Sequence, residues 1–246
     1  MPGQGGFVLW KGPSAFDGAP VVAIVTLGAT NRKTGDMDQT WILREDVHPL
    51  QAVRTGADAS ICGDCQHRGV ESGHRSCYVT VQHGPAAIWR AYHAGRYAPE
   101  DLLHRRIAGH VLRFGAYGDP MAVPINVWLP LLPYLKSWTG YTEFWRQGDR
   151  RWAHFLMASV QSLDEMVEAQ LLGWRTFRVR TGPLALGEVV CPASAEAGHK
   201  LTCLQCTLCQ GQSRHARSIA IRPHGAGAVN FYRNPQAGLT FSEGAP

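Results

Sequence analysis

The cysteines constrain the fold of this chain more than any other feature of its sequence. They form two groups with the spacings C-x2-C-x11-C and C-x11-C-x2-C-x2-C. The first group is Cys62, Cys65 and Cys77, and the second is Cys191, Cys203, Cys206 and Cys209. In a reducing compartment, clustered thiols bind metal more often than they form disulfides. We therefore expect two cysteine-ligated metal sites, one in loop 62–77 and one in loop 191–209.

The spacing of the second group favours a four-iron cluster over zinc. A zinc ion is usually held by two ligand pairs, whereas the thiolates of C-x2-C-x2-C can each reach a different iron of a cubane. The bacterial ferredoxin motif adds a cysteine that is followed by proline. Here Cys191-Pro192 supplies a comparable remote ligand on the N-terminal side of the triple. Zinc is the alternative metal.

The spacing of the first group leaves two interpretations open. A zinc ion could use the three thiolates together with His67, His74 or His83. A [4Fe-4S] cluster could instead be held by the three cysteines with one iron left open, and an open coordination position is where a metal centre does chemistry. Cys191 could also close this first site in space, so the partition of the cysteines stays open.

Short apolar segments alternate with helical ones along the rest of the chain. Apolar, β-branched or alternating runs predict strands at 20–27, 40–43, 110–114, 141–145, 154–160, 177–180, 188–190 and 218–221. Helical patterns predict helices at 84–94, 124–136 and 162–173. We expect Pro130 and Pro133 to kink or shorten the second of these helices. The alternation predicts an α/β fold with a parallel sheet, open or closed into a partial (β/α) barrel.

Parallel sheets place functional loops at the carboxyl ends of their strands. By this rule the loops that begin at Gly115 and Ser159 face the site, as does Cys191. Tyr117, Asp119 and Ser159 are therefore the candidate cofactor-binding residues. The alternative is that the Gly-Asp-Pro sequence at 118–120 is only a turn before the next helix. The chain contains no phosphate-binding P-loop, no dinucleotide fingerprint and no nucleophile elbow.

Composition sets the class of protein. With 45% hydrophobic and 17% charged residues over 246 positions, the chain can bury a substantial core, which excludes a disordered protein. We expect one α/β domain over 1–233 and a loose tail over 234–246. No apolar stretch approaches the ~20 residues of a membrane span, and the first residues lack the pattern of a secretory signal. These features predict a cytoplasmic protein that does not enter a membrane.

Several longer sequence words occur between the cysteines. They are SICGDC at 60–65, CYV at 77–79, RFGAYGDP at 113–120, TGYT at 139–142, MASV at 157–160, GWRTFRV at 173–179 and CPAS at 191–194. With these words the chain resembles the gene-88-type proteins of tailed phages and prophages, from about Gly12 to Gly225. The resemblance implies a bacteriophage protein that works in the cytoplasm of a bacterial host. It implies no particular activity.

The order of three cysteines followed by four is similar to that of radical S-adenosylmethionine enzymes. Those enzymes combine a partial α/β barrel with a cluster held by three cysteines, whose open iron binds S-adenosylmethionine, and many carry an auxiliary four-cysteine cluster. The resemblance implies one or two [4Fe-4S] clusters and S-adenosylmethionine as a further cofactor. The usual C-x3-C-x2-C motif is absent and C-x2-C-x11-C takes its place, so the likeness is one of fold and ligand number.

Three functions are compatible with these features. The first is an iron–sulfur enzyme, similar to the radical S-adenosylmethionine enzymes, that acts on a nucleotide or nucleic acid. The second is a binding module, stapled by zinc or a cluster, whose basic segment around Arg214 and Arg217 contacts nucleic acid or a host protein. The third is an iron–sulfur redox sensor or electron carrier. Neither the substrate nor the oligomeric state follows from the sequence.

Overall fold

A mostly parallel β-sheet is the central element of the computed structural model. The structure describes residues 5–28, 31–69, 74–97, 99, 103–213 and 217–233. Within these ranges the sheet has nine strands. They are β1 (Gly6–Pro13), β2 (Pro20–Thr26), β3 (Asp38–Arg44), β4 (Val111–Tyr117), β5 (Ser137–Thr142), β6 (Met157–Val160), β7 (Thr176–Val179), β8 (Glu188–Val190) and β9 (Ser218–Ile221).

The strands lie in the spatial order β1-β2-β3-β4-β5-β6-β7-β9-β8. The pairs β1–β2 and β2–β3 are antiparallel, and every later pair is parallel. The predicted α/β fold with a parallel sheet is therefore confirmed in its coarse form. The antiparallel pairs at one edge were not predicted. Strand β1 pairs with β2 alone in the sheet and mixes buried and exposed positions, so its sequence lacks the apolar run that marks a buried strand.

The predicted strand at 141–145 is wrong in position. Strand β5 occupies Ser137–Thr142 instead, and it has no continuous apolar run, because Thr139 and Gly140 separate Trp138 from Tyr141. The predicted strand at 154–160 is too long, because a 3₁₀ helix covers Arg150–His154 and only Met157–Val160 is extended. The other predicted strands are confirmed to within a residue or two, except that β4 continues as far as Tyr117.

The helices are short. They are α1 (Pro49–Thr55), α2 (Ala59–Cys62), α3 (Gly84–His93), α4 (Leu103–Ile107), α5 (Ile125–Trp128), α6 (Leu163–Leu171), α7 (Cys203–Cys206) and α8 (Ala228–Phe231). Helices α3 and α6 confirm two predictions, and Ser162 and Glu165 form a capping box at the start of α6. Among the residues described, no helix has both the length and the apolar character needed to cross a bilayer.

The third predicted helix, at 124–136, is divided into two parts. Helix α5 ends at Trp128, and a 3₁₀ helix continues over Leu129–Tyr134. The division follows from Pro130 and Pro133, which cannot donate the backbone hydrogen bonds of a continuous α-helix. The predicted tail over 234–246 lies outside the described residues.

The core is built on the central strands. Every residue from Val21 to Val25 is fully buried, which is typical of a strand covered on both faces. Phe114 on β4 makes edge contacts with the rings of Trp128 and Phe155, at centroid distances of 5.4 and 5.6 Å. This packing anchors β4, and the loops at the carboxyl ends of β4 and the neighbouring β5 contribute to the site described next.

Candidate functional site

A chamber of about 190 Å³ lies beside the parallel strands. Five of these strands contribute side chains to its wall, through Tyr117, Tyr141, Ser159, Phe177 and Ile221. The first group of cysteines, from the long connection between β3 and β4, also lines it. The cysteines that the sequence groups together and the loops at the strand ends therefore meet in one cavity.

The turn that carries Cys62 and Cys65 has a tightly fixed backbone. Helix α2 ends at Cys62, and the Cys65 amide donates to the Cys62 carbonyl over 3.1 Å. Gly63 lies between them with a φ of +48°, where a Cβ would clash with the Phe144 ring. The Cys77 amide donates to the His67 carbonyl over 3.1 Å, which brings the third cysteine to the same turn.

The three thiols lie in an environment that opposes ionisation. Burial raises the pKa of Cys62 and Cys65 well above that of an ordinary thiol; the Cys77 thiol raises both pKa values further, and the Glu143 carboxylate adds to the increase at Cys65. Burial also raises the pKa of Cys77, although the guanidinium of Arg75 acts in the opposite direction. Without a metal these thiols are therefore protonated at neutral pH, and metal binding has to release their protons.

Asp119 lines the chamber and connects three segments of the chain there. Its Oδ1 accepts from the Met121 amide over 2.9 Å, and its Oδ2 accepts from the Thr142 hydroxyl over 3.0 Å and the Glu143 amide over 2.9 Å. Its own amide donates to the Ile61 carbonyl over 2.7 Å. Burial raises the pKa of Asp119 to about 6, against the effect of these hydrogen bonds. Asp119 lines the chamber as predicted, and it also caps the turn at 120–122, which was the alternative interpretation.

The other two predicted cofactor-binding residues also line the chamber. The Tyr117 hydroxyl is buried and has no hydrogen-bond partner in the described part of the chain. Burial raises the pKa of Tyr117 well above its usual value, and the Cys62 thiol adds to this effect. Ser159 hydrogen-bonds the Glu143 carboxylate through its side chain, while its carbonyl accepts from the Trp145 indole over 3.1 Å.

Glu143 is a chamber residue that sequence reasoning missed. Its Oε1 accepts from Gln161 Nε2 over 3.1 Å and lies 4.0 Å from His67 Nε2. Burial raises the pKa of Glu143 from 4.5 to about 7, and the nearby Asp119 and Glu165 carboxylates contribute to the increase. Glu143 directly follows the carboxyl end of β5, and this position could have identified it. The wrongly placed strand at 141–145 included Glu143 and so concealed that position.

His67 was one of the predicted alternatives for the fourth zinc ligand. Its Nδ1 lies 2.8 Å from the Ser76 hydroxyl and its Nε2 lies 2.9 Å from Gln161 Nε2, so both ring nitrogens already have partners. Burial lowers the pKa of His67 to about 4, and Arg75 adds to the decrease. His67 is therefore neutral at pH 7. The other two histidine candidates, His74 and His83, are not among the residues that line the chamber.

The second group of cysteines lines a smaller cavity of about 20 Å³. This cavity shares part of its wall with the chamber, through Lys33, Thr139, Tyr141, Phe177 and Cys203. Cys191 directly follows β8, and the other three cysteines lie in and after α7. The Cys209 carbonyl accepts from the Gly140 amide over 3.1 Å, which holds this segment against β5. Burial raises the pKa of Cys209 to about 12.

The two predicted metal sites are not shown as such. Within the described ranges, no three or more His, Cys, Asp or Glu side chains are grouped so that they could hold one metal ion. Two thiolates on one zinc lie within about 4 Å of each other, because each Zn–S bond is ~2.3 Å. The ligands of a cubane bind different irons and stand further apart. A donor set made only of cysteines fits a four-iron cluster chemically. The 20 Å³ cavity is smaller than such a cluster, so the segment around α7 would have to shift to admit it.

The basic segment of the binding-module interpretation is only partly described. Arg214 lies outside the described residues. Arg217 accepts a hydrogen bond from Arg175 through its carbonyl, over 2.7 Å. The Nε of Arg222 lies 3.8 Å from a carboxylate oxygen of Glu196.

The fold and the site together define a mostly parallel α/β protein with a thiol-lined chamber. No family model, no curated protein and no solved structure matches this chain. The resemblances to phage gene-88-type proteins and to radical S-adenosylmethionine enzymes therefore stay predictions.

Proposed function

We propose that this chain is a bacteriophage iron–sulfur enzyme, similar to the radical S-adenosylmethionine enzymes, that acts on a nucleotide or nucleic acid. One observation carries the proposal. Three partly buried cysteines, two from one turn of the β3–β4 connection and the third from further along it, converge on a chamber that is also lined by five parallel strands. Open chambers beside parallel strands are the usual place for catalysis in α/β proteins.

The wall of the chamber also supports a partial barrel. Side chains from β4, β5, β6, β7 and β9 line one cavity of about 190 Å³, so these neighbouring strands have to curve around it. The cysteine connection follows β3, the first strand of the parallel series. The connection between β3 and β4, which carries the three cysteines, would face the interior of such a barrel.

Cys62, Cys65 and Cys77 would hold a [4Fe-4S] cluster with one open iron. When bound, such a cluster supplies an electron and a coordination position for S-adenosylmethionine. The chain itself supplies the surroundings. Apolar side chains of the chamber wall exclude water, and they are Val79, Phe177, Val179, Ile221 and Phe231. A dry chamber protects a reactive intermediate from side reactions.

Glu143 provides a group that can hold or release a proton inside the chamber. Its pKa of about 7 makes both protonation states accessible near neutral pH. Gln161 and Ser159 hydrogen-bond its carboxylate and so fix its orientation. We propose that this carboxyl group exchanges protons with a bound substrate.

The second group of cysteines is proposed to hold a closed auxiliary centre, with zinc as the alternative metal. The segment that carries it connects distant parts of the fold. The Cys203 amide donates to the Lys33 carbonyl over 2.9 Å, and the Leu204 amide donates to the Thr34 carbonyl over 3.0 Å. Together with the bond between Gly140 and Cys209, these contacts attach the segment to the β2–β3 connection and to β5. A metal centre held by these cysteines would stabilise the part of the wall that the chamber shares with the smaller cavity.

Binding of S-adenosylmethionine to anaerobically purified protein tests the proposal. We expect wild-type protein and Cys206→Ser to bind it, and Cys77→Ser to lose at least tenfold in affinity, because only Cys77 belongs to the open site. Cys206→Ser is the matched control, since it removes a thiol of the same kind from the other group. Iron content and thermal unfolding confirm that both variants fold. Equal binding by both variants, or colourless zinc-loaded wild-type protein, would overturn the proposal.

A further inference from the structure

Two cationic side chains line the chamber without a carboxylate partner among the residues that the structure describes. Lys33 Nζ lies 2.8 Å from His224 Nε2, and Arg113 Nη2 donates to the Tyr78 hydroxyl. Within the described ranges neither cation is paired with an Asp or Glu. By contrast, the buried Arg178 has Glu188 at 2.6 Å. Lys33 and Arg113 are both partly buried, and withdrawing a cation from water without a counter-charge is costly, which indicates that something else supplies the negative charge.

These four side chains form one continuous surface, which we call the cationic wall: Lys33, Tyr78, Arg113 and His224. The Tyr78 and His224 rings have centroids 5.4 Å apart, and the Arg113 guanidinium carbon lies 5.8 Å from the centre of the Tyr78 ring. All four residues line the chamber. They come from the β2–β3 connection, the segment after Cys77, β4 and the segment after β9, so tertiary folding alone brings them together.

The cationic wall has unused hydrogen-bonding capacity. The Nε of Arg113 is buried and has no hydrogen-bond partner in the part of the chain that the structure describes. A guanidinium presents several N–H donors in a plane that matches an oxyanion, and an ammonium adds a point charge beside it. The acidic side chains of the chamber, Asp119 and Glu143, make their contacts with other residues. The negative charge suited to this wall is therefore that of a ligand.

We propose that the cationic wall binds a phosphate group of the substrate. Two cations match a dianion better than a monocarboxylate, and the volume of about 190 Å³ limits the ligand to a small molecule. With its phosphate on Lys33 and Arg113, the ligand would extend along the same chamber towards Cys62, Cys65 and Cys77. The inference deepens the proposed function by naming a phosphorylated substrate, but binding to this wall needs no cluster.

Titration of inorganic phosphate into the full-length chain, followed by calorimetry at constant ionic strength, tests this inference. We expect saturable binding to the wild type and at least a tenfold loss in affinity for Lys33→Met and for Arg113→Met. Arg151→Met is the matched control, because Arg151 is 55% exposed and paired with Asp149 outside the chamber. It should bind phosphate like the wild type. Arg113→Lys keeps the positive charge and should recover part of the lost affinity for phosphate. It also serves as the test at this position if Arg113→Met does not fold.

Three outcomes would overturn the inference. The first is wild-type protein that does not bind phosphate. The second is acetate that binds as tightly as phosphate, because the site would then recognise a carboxylate. The third is a Lys33→Met variant that loses metal but binds phosphate as tightly as the wild type. In that case the cations would only balance the charge of the cysteine thiolates. Metal content measured in parallel separates this test from that of the proposed function, since phosphate binding can fail while S-adenosylmethionine binding persists.

Discussion

At the scale of single residues, the two partly buried carboxyl groups of the chamber have different surroundings. Both oxygens of Asp119 accept hydrogen bonds from the ends of neighbouring elements, so this side chain mainly holds the loops together. Glu143 accepts from the side chains of Gln161 and Ser159 and faces the cavity. The higher pKa of Glu143, about 7 against about 6, agrees with this difference.

We expect Glu143→Gln to change how stability depends on pH. Because the folded state raises the pKa of this group from 4.5 to about 7, the folded protein retains a proton that the unfolded chain releases. Below pH 4.5 the group is protonated in both states and does not lower the free energy of unfolding. Between pH 4.5 and about 7 it ionises in the unfolded chain first, which lowers the free energy of unfolding by on the order of 3 kcal/mol. The free energy of unfolding of the variant should therefore fall less over this range.

Urea unfolding at several pH values between 4.5 and 7 measures the effect. Asp119 is present in both proteins, and because its carboxylate interacts with that of Glu143, the difference between the two curves reports the titration of Glu143 together with this interaction. Parallel curves for the wild type and the variant would contradict the assignment of a raised pKa to Glu143.

Some residues of the site could be predicted from the sequence and others could not. Cys62, Cys65 and Cys77 were recognised because a short spacing is typical of metal ligands. Lys33 belongs to no motif, Arg113 was singled out only as part of the sequence word at 113–120, and their relation depends on how distant segments fold against each other. Single polar residues of this kind carry no signal until the strands and their connecting segments have come together.

At the scale of elements, the amount of apolar sequence explains which predictions succeeded. Strand β2 is a continuous apolar run and was predicted to within one residue. Strand β5 has the sequence SWTGYT, and its position depends on close packing that no local pattern encodes. A Cβ at Gly140 would clash with the Leu156 side chain and lie 3.0 Å from the Cβ of Phe114. The glycine is needed because neighbouring strands leave no room for a side chain.

We therefore expect Gly140→Ala to destabilise the protein by about 1–3 kcal/mol, the usual cost of overpacking a core. Gly182→Ala is the matched control, because nothing lies within 4 Å of a Cβ built there and its φ is not positive. Urea unfolding of both variants gives the comparison. A control that is destabilised as much as Gly140→Ala would argue against close packing at β5.

At the scale of the whole molecule, two groups of thiols line two cavities that share one wall. Cys62, Cys65 and Cys77 line the chamber, whereas the second group lines the smaller cavity beside β5. Cys203 lines both cavities. The proposed open centre therefore lies in the chamber together with the cationic wall, and the proposed closed centre lies in the adjoining cavity.

Metal analysis of anaerobically purified protein tests this account most directly. Iron, sulfide and zinc are measured per chain, and an EPR spectrum is recorded before and after S-adenosylmethionine is added. Two four-iron clusters predict about eight irons per chain and one EPR signal that the added molecule perturbs. Zinc without iron, or iron whose signal is unchanged by S-adenosylmethionine, would contradict the account.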